Sequence, residues 1–178
     1  MKQHIDPFDY AGEFAKNMAR GILLTTKADD RVNTMTIGWG TMGIEWGRPI
    51  FVAYVRGSRF THQMLEQNPE FTINCPVGEI DKKILGFCGT KSARDVDKIK
   101  EMDLHLEEPE GISVPGIKEL PLTLECKVLY RNPQPAETLP QAILDRYYPE
   151  NNGKRDFHYA YYAEIVNAYI IKQVRKYE

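Results

Sequence analysis

Residues Asn33–His62 read NTMTIGWGTMGIEWGRPIFVAYVRGSRFTH. Thr34, Met35, Thr36 and Ile37 are strand formers, and Gly38, Gly40, Gly43 and Gly47 then interrupt the run. Pro49 closes the interruption. The spacing predicts a strand, a glycine-rich turn across 38–49, and a second strand that returns beside the first. Ile50–Val55 is apolar, β-branched and aromatic without alternation, as expected of a strand covered on both faces. Arg56-Gly57-Ser58-Arg59-Phe60-Thr61 then changes the chemistry. Ser58 is a good N-cap, and Phe60, Met64 and Leu65 follow at helical spacing until Asn68-Pro69 stops them.

A helix start that carries two arginines, a serine and a threonine is suited to an anion. Its free N–H groups and dipole face the ligand, and arginine adds a bidentate fork. The residues support two readings: a phosphate pocket beside a strand pair rich in hydroxyls, amides and tryptophan, or a capped surface helix with solvated arginines.

Outward from this stretch the chain reads as short strands with small helices. Asp9–Ala19 suits a packing helix with Phe14, Ala15 and Met18 on one face. Gly21–Thr26 and Arg31–Ile37 form a hairpin around Asp29-Asp30. Glu70–Cys75 is a strand ended by Pro76, and Ile80–Phe87 is an amphipathic helix ending at Gly86 or Gly89. Cys88-Gly89-Thr90-Lys91-Ser92 reads as a loop, either an ordinary connection or a ligand contact, and Arg94–Lys98 starts another short helix. Leu104–Gly116 is mostly loop. Leu122–Tyr130 alternates, with Leu122, Leu124, Cys126, Val128 and Tyr130 against Thr123, Glu125 and Lys127. A proline-rich turn at 132–140, a helix at 139–147 and a polar loop at 149–156 follow. The last strand runs from Tyr159 to Val174, with Tyr161, Ala163, Ile165, Asn167 and Tyr169 on one parity. The fold expected is mainly β with short helices, an all-β or α+β barrel, as one domain over residues 1–178.

The 178 residues allow a sizeable core, and 42% hydrophobic with 27% charged residues is ordinary for a globular protein. A net charge of −2 offers no basic field for nucleic acid. No apolar run approaches the roughly 20 residues that span a bilayer. MKQHIDPFDY lacks the apolar region of a secretory signal. Cys75, Cys88 and Cys126 are far apart and odd in number, which fits a reducing cytoplasm and argues against disulfides or zinc. His4, His62, His105 and His158 have no partner at metal spacing, so no metal is expected. Hydrolase, P-loop and Rossmann signatures are absent. Cys88 is either a buried inert thiol or one activated by Lys91. His158, after a flexible loop, is either a surface residue or one that reaches a ligand from the rim.

The paired motif N-x-M-T-x-x-W-G and P-x-x-x-x-x-V-R-x-S-R-x-T, at Asn33–Gly40 and Pro49–Thr61, resembles the flavin reductase-like family of FMN-binding split β-barrels of Greek-key type, in particular its flavoredoxin branch. The resemblance runs from about residue 21 to 171. A later segment, C/S-G-x-x-S followed after a short spacer by D-K, is matched by Cys88, Gly89, Ser92, Asp97 and Lys98, and a D-x-H pattern by Asp156 and His158. The resemblance implies that Asn33, Thr34, Met35, Thr36 and Trp39 line the isoalloxazine, with the strand Ala53-Tyr54-Val55 beneath it. It implies that Arg56, Ser58, Arg59 and Thr61 hold the phosphate, with Cys88, Gly89, Lys91 and Ser92 approaching from the later segment and Asn74 in contact, and the D-x-H match favours a His158 that reaches the flavin or substrate from the rim. Trp46 packs on the same site, across a dimer contact, or in the core. It further implies a homodimer that moves electrons from NADH, NADPH or another donor through FMN to a flavin or a redox protein. An electron carrier without turnover of its own is the alternative, and a non-flavin barrel for an anion or haem is a third.

Overall fold

The computed structural model describes residues 1–134 and 138–172. The strands are Lys2–His4 (β1), Ile22–Ala28 (β2), Arg31–Ile37 (β3), Gly40–Glu45 (β4), Arg48–Arg56 (β5), Glu70–Cys75 (β6), Leu106–Glu107 (β7), Gly116–Ile117 (β8), Leu122–Pro133 (β9) and His158–Ile171 (β10). The α-helices are Ala11–Met18 (α1), Phe60–Gln67 (α2), Lys82–Thr90 (α3), Lys98–Glu101 (α4) and Gln141–Tyr147 (α5), with a 3₁₀ turn at Pro7–Tyr10. Most of the expected 132–140 turn is described, but its residues 135–137 and the expected strand end at 173–174 lie outside the described residues.

The main sheet runs β3-β2-β6-β9-β10-β5-β4, with β1 added beside β10, and every pairing is antiparallel. β3 and β4 stand at opposite ends of that order, yet only Gly38-Trp39 joins them. The steps from Ile37 to Gly40 can span roughly 10 Å. The sheet must therefore curl until its two edges meet, and the result is a barrel with an unpaired seam. At the seam Gly40 is packed closely: a Cβ there would lie 2.9 Å from both Met18 Cε and Phe51 Cζ.

The glycine-rich segment corrects the sequence expectation. It contains β4, which pairs with β5 from Gly40↔Ala53 to Glu45↔Arg48. The turn shrinks to Trp46-Gly47, both left-handed at φ 52° and 69°. That is the mirror-image hairpin turn, whose twist matches the strands it joins. Thr41, Ile44 and the β-branched partners opposite supply the propensity that the glycines masked. β3 does not return beside β5 as a hydrogen-bonded ribbon; its partner is β2. Gly47→Ala is expected to cost about 1 kcal/mol, because only glycine takes positive φ without strain. The midpoint of urea unfolding would show it.

The barrel interior holds Phe14, Leu24, Ile37, Phe51, Val55, Phe71, Leu124 and Tyr161 among others, all nearly inaccessible. Leu122, Leu124, Cys126 and Val128 of β9 point inward as their alternation requires. The register then shifts at two exposed residues, Leu129 on β9 and Val166 on β10. Each shift swaps the faces that follow. Tyr130 therefore turns outward against Trp46 and Tyr162. Ala168 and Ile170 face the barrel interior where the sequence parity named Asn167 and Tyr169. Such bulges add the bend that barrel closure needs.

The outer face of β2, β6 and β9 is also buried, under α3, α4 and the 104–120 segment. Leu23 packs there with Ile84, Cys88, Leu104, Ile117 and Leu120. Beside it runs a polar row in which Thr25, Thr34, Thr72, Asn74 and Thr123 bond to one another and to the carbonyls of Pro115 and Leu120. Glu125, fully buried, accepts the amides of Glu110 (2.9 Å) and Gly111 (2.6 Å), which pins this segment to the sheet. The polar residues of these strands are thus not solvent-facing, as alternation alone would suggest. They satisfy a covering loop that has little secondary structure of its own.

Candidate functional site

α2 follows β5, but its cap differs from expectation. Arg59 is the N-cap residue, and Ser58 lies one position outside the helix. The Ser58 amide and hydroxyl both donate to the Asp156 carboxylate, at 3.1 and 2.5 Å. The helix begins with exposed Arg59 above it, and the first-turn amides of Phe60 and Thr61 are free of its own ladder. Facing them is the last turn of α3. The helix does not end in a loop before Cys88; it continues through Cys88-Gly89-Thr90 and is capped by Lys91.

Between these two elements lies a cleft of about 120 Å³ lined by Asn33, Met35, Arg59, Thr61, Gly89, Lys91, Ser92, Arg94 and Lys98, with others. Positive groups dominate it. Arg94 donates twice to the Ser58 carbonyl at 3.2 Å, and it flanks the Phe60 ring together with Arg31. Lys98 is buried beneath the cleft and donates to the carbonyls of Thr34 (3.0 Å) and Cys88 (2.9 Å). Burial pulls its pKa below the usual lysine value, with the Cys88 thiol opposing and Arg59 adding to the shift. Asn33 is 2% exposed. Its Nδ2 donates to Thr61 Oγ1 at 2.9 Å, while its Oδ1 is buried with no partner among the described residues. An orphan acceptor of that kind is costly unless something donates to it.

A second cleft of about 140 Å³ adjoins the first and shares Met35 and Arg59 with it. Thr36, Ile37, Gly38, Trp39, Tyr54, Arg56 and His158 complete its lining. Here the barrel seam is open, so β3 and β5 supply opposite walls although they do not pair. Trp39 packs on the His158 ring at 4.6 Å and edge-on against Tyr147 at 5.2 Å. A shallower groove along Met18, Gly38, Trp39, Gly40, Tyr54 and Gln134 continues outward from it.

His158 is 8% exposed. Burial, followed by Arg56, brings its pKa down to about 4, with Asp156 opposing and Arg59 adding slightly, so the imidazole is neutral at pH 7. Arg56 does not enter the anion cleft. Its guanidinium donates to the carbonyls of Asp156 and Tyr147, both at 2.8 Å, and so holds the 147–156 segment against the ring cleft. The Cys88 thiol is raised by burial despite Lys98, which makes it an inert packing group rather than a nucleophile.

The structure brings together most of the residues singled out from the sequence. Asn33, Met35, Ser58, Arg59, Thr61, Cys88, Gly89, Lys91 and Ser92 line the anion cleft, while Thr36, Trp39, Tyr54, Arg56 and His158 line the ring cleft. Five do not reach either. Ala53 and Val55 point into the barrel core. Thr34 is fully buried, and its hydroxyl donates to the Leu24 carbonyl. Asn74 is fully buried with both amide atoms engaged, so its polarity serves the interlayer row. Trp46 is exposed on the outer face, away from both clefts. The sequence reading missed Arg94 and Phe60, whose side chains lack a motif of their own, and it missed Tyr148 and Gln134 behind His158. Asp97 and Lys98 were visible as a motif, but their work is structural: Asp97 caps α4 and Lys98 ties β3 to α3.

Residues 15–176 match the family model described as the flavin reductase like domain. An uncharacterized protein of Archaeoglobus fulgidus is 29% identical over 100 residues, which covers 56% of this chain and 55% of that protein. The match thus spans little more than half of that relative's length. Among solved structures, a flavoredoxin from Methanosarcina acetivorans superposes with a TM-score of 0.64 at 25% identity, covering 86% of this chain and 69% of the other. An FMN-binding domain of a flavin reductases-like enzyme from Shewanella baltica gives a TM-score of 0.65 at 16% identity, covering 99% and 81%, and shares the fold.

Proposed function

The chain belongs to the flavin reductase-like domain family, a group of split barrels, and from that premise we propose that it is an FMN-binding oxidoreductase of the flavoredoxin type. It would take electrons from NADH, NADPH or another donor and pass them to a flavin or a protein acceptor. The observation that carries this reading is the junction of the two clefts: a cationic pocket suited to an anion adjoins a slot lined by Trp39, Tyr54 and His158, with Met35 and Arg59 common to both. The unpartnered Asn33 Oδ1 at the first cleft supports the fit, since a ribityl hydroxyl or ring N–H would satisfy it.

Arg59, Thr61, Lys91, Ser92 and the open amides of α2 would hold the phosphate. Met35, Thr36, Trp39 and Tyr54 would bound the ring. A bound flavin supplies the redox chemistry itself. The chain's share is to bind, to orient and to exclude water. Asp156, now on Ser58, would either shift or leave the phosphate to the remaining donors. The outer groove beside Trp39 and Tyr54 gives a donor or acceptor an approach to the ring slot.

The same reading takes the chain as one domain that pairs as a homodimer. Ile44, Trp46, Leu129 and Tyr130 are exposed, and Trp46 lies against Tyr130, which gives it apolar surface to pair through. Reconstitution with FMN followed by anaerobic titration tests the function. Yellow protein that NADH or NADPH bleaches is the expected result. Bleaching by neither would leave an electron carrier, and protein that stays colourless after FMN would reject both.

A further inference from the structure

We infer that Tyr148 and Gln134 are positioning residues that hold His158 in its Nδ1–H tautomer, so that Nε2 faces the ring cleft as a hydrogen-bond acceptor. The inference rests on the ring cleft being the redox site, and it adds which ligand atom that site favours: an N–H or O–H donor, as on a carboxamide.

A hydroxyl has a single proton to give. That of Tyr148 goes to Gln134 Oε1 at 2.9 Å. The Tyr148 oxygen also lies 2.8 Å from His158 Nδ1, so at that contact it accepts and Nδ1 carries the proton. In a neutral imidazole the bond at one nitrogen decides what the other presents. Nε2 is therefore left with its lone pair. It has no partner among the described residues and is not among the enclosed unsatisfied atoms, while the ring it belongs to lines the ring cleft.

Further contacts hold the members of the relay. Tyr148 is 3% exposed, and it lies against Phe157 at 4.8 Å and under the Arg56 guanidinium at 5.2 Å. Arg155 donates to its carbonyl. The Gln134 amide donates to the His158 carbonyl at 3.0 Å, so the end of the relay is anchored to the residue it orients. Trp39 closes the remaining side of the imidazole. The charged groups around it are Arg56, Arg59 and Asp156, and burial first, with the two cations outweighing the carboxylate, keeps a second N–H proton off the ring.

Long-range ¹⁵N–¹H NMR of histidine-labelled protein, without any flavin, reads the tautomer directly. His158 is expected as Nδ1–H at pH 7. Tyr148→Phe should release it to a mixture. Gln134→Leu removes the acceptor, frees the tyrosine proton to turn toward Nδ1, and should convert His158 to Nε2–H. Gln134→Glu keeps an acceptor and should keep the wild-type tautomer. In FMN-loaded protein, Gln134→Leu should slow bleaching by reduced nicotinamide roughly tenfold, the lower end of what losing an imidazole's orienting partner costs at other sites. Its FMN affinity should stay within about twofold, and Gln134→Glu should restore the rate. Wild-type His158 found as Nε2–H, or a tautomer indifferent to Gln134→Leu, would overturn the inference. Failure of the wild type to bind FMN would remove the redox reading instead, because the NMR result needs no ligand.

Discussion

Arg59→Ala is expected to weaken FMN binding by about 2–3 kcal/mol, roughly 30- to 150-fold, when a titration of protein fluorescence or heat compares it with the wild type. The size follows from what each cation near the anion cleft is already doing. Arg56 has its guanidinium on two backbone carbonyls, so its loss would act through the 147–156 segment. Arg94 is held by the Ser58 carbonyl. Lys98 is buried and committed to two carbonyls. Lys91 is exposed and strongly hydrated, and such a charge contributes under about 1 kcal/mol. Arg59 lines both clefts at the open end of α2, where a fork-shaped donor meets the positive end of the helix. Affinity that Arg59→Ala leaves unchanged would remove the phosphate from this cleft.

Acid should destabilise the protein through His158. Its pKa is about 4 in the folded protein against 6.5 for the free side chain, so between those values the unfolded chain binds a proton that the folded one refuses. Stability then rises with pH across that window and falls as pH drops from 6.5 toward 4, with no further loss from this group below. A shift of this size corresponds to roughly 2–3 kcal/mol once partial solvent access is allowed for. His62, also lowered chiefly by burial, adds in the same direction. Glu110 is held at about 2, first by its bond to His4, and it titrates mostly below the histidine window. Urea unfolding at pH 7 and pH 4.5 should show the loss in the wild type, and His158→Gln should remove most of the difference. A slope that His158→Gln does not change would place the acid sensitivity elsewhere.

The two effects divide along a line that also separates what was legible in the chain. Arg59 could be found from sequence because a capped helix start after an apolar strand is a local pattern. The neutrality of His158 could not. It depends first on burial and then on Arg56, which the barrel brings across from another strand, and the ring's hydrogen-bonded chain runs to Tyr148 and Gln134, ten and twenty-four residues away. Asn74 misled for the converse reason. An amide on a strand near a proposed site reads as a ligand, but here the 104–120 segment covers it, and its bonds go to Thr25, Thr72 and Thr123 of the sheet and to the Leu120 carbonyl of that segment. The hairpin at Trp46-Gly47 was hidden by glycines that composition counts as breakers, although two of them sit inside β4.

By itself the sequence determined the strand propensities, the helix starts, the unlikelihood of a nucleotide fold with a glycine fingerprint, and the cluster of cations after β5. These are properties of neighbouring residues, and neighbours are what a linear pattern records. Tertiary structure alone decided that the edges of the sheet meet at Gly38-Trp39, which faces follow the bulges at Leu129 and Val166, and which polar groups the covering segment consumes. Those outcomes depend on closing a curved sheet and pairing every buried donor at once, a condition imposed on the whole chain that no single stretch contains.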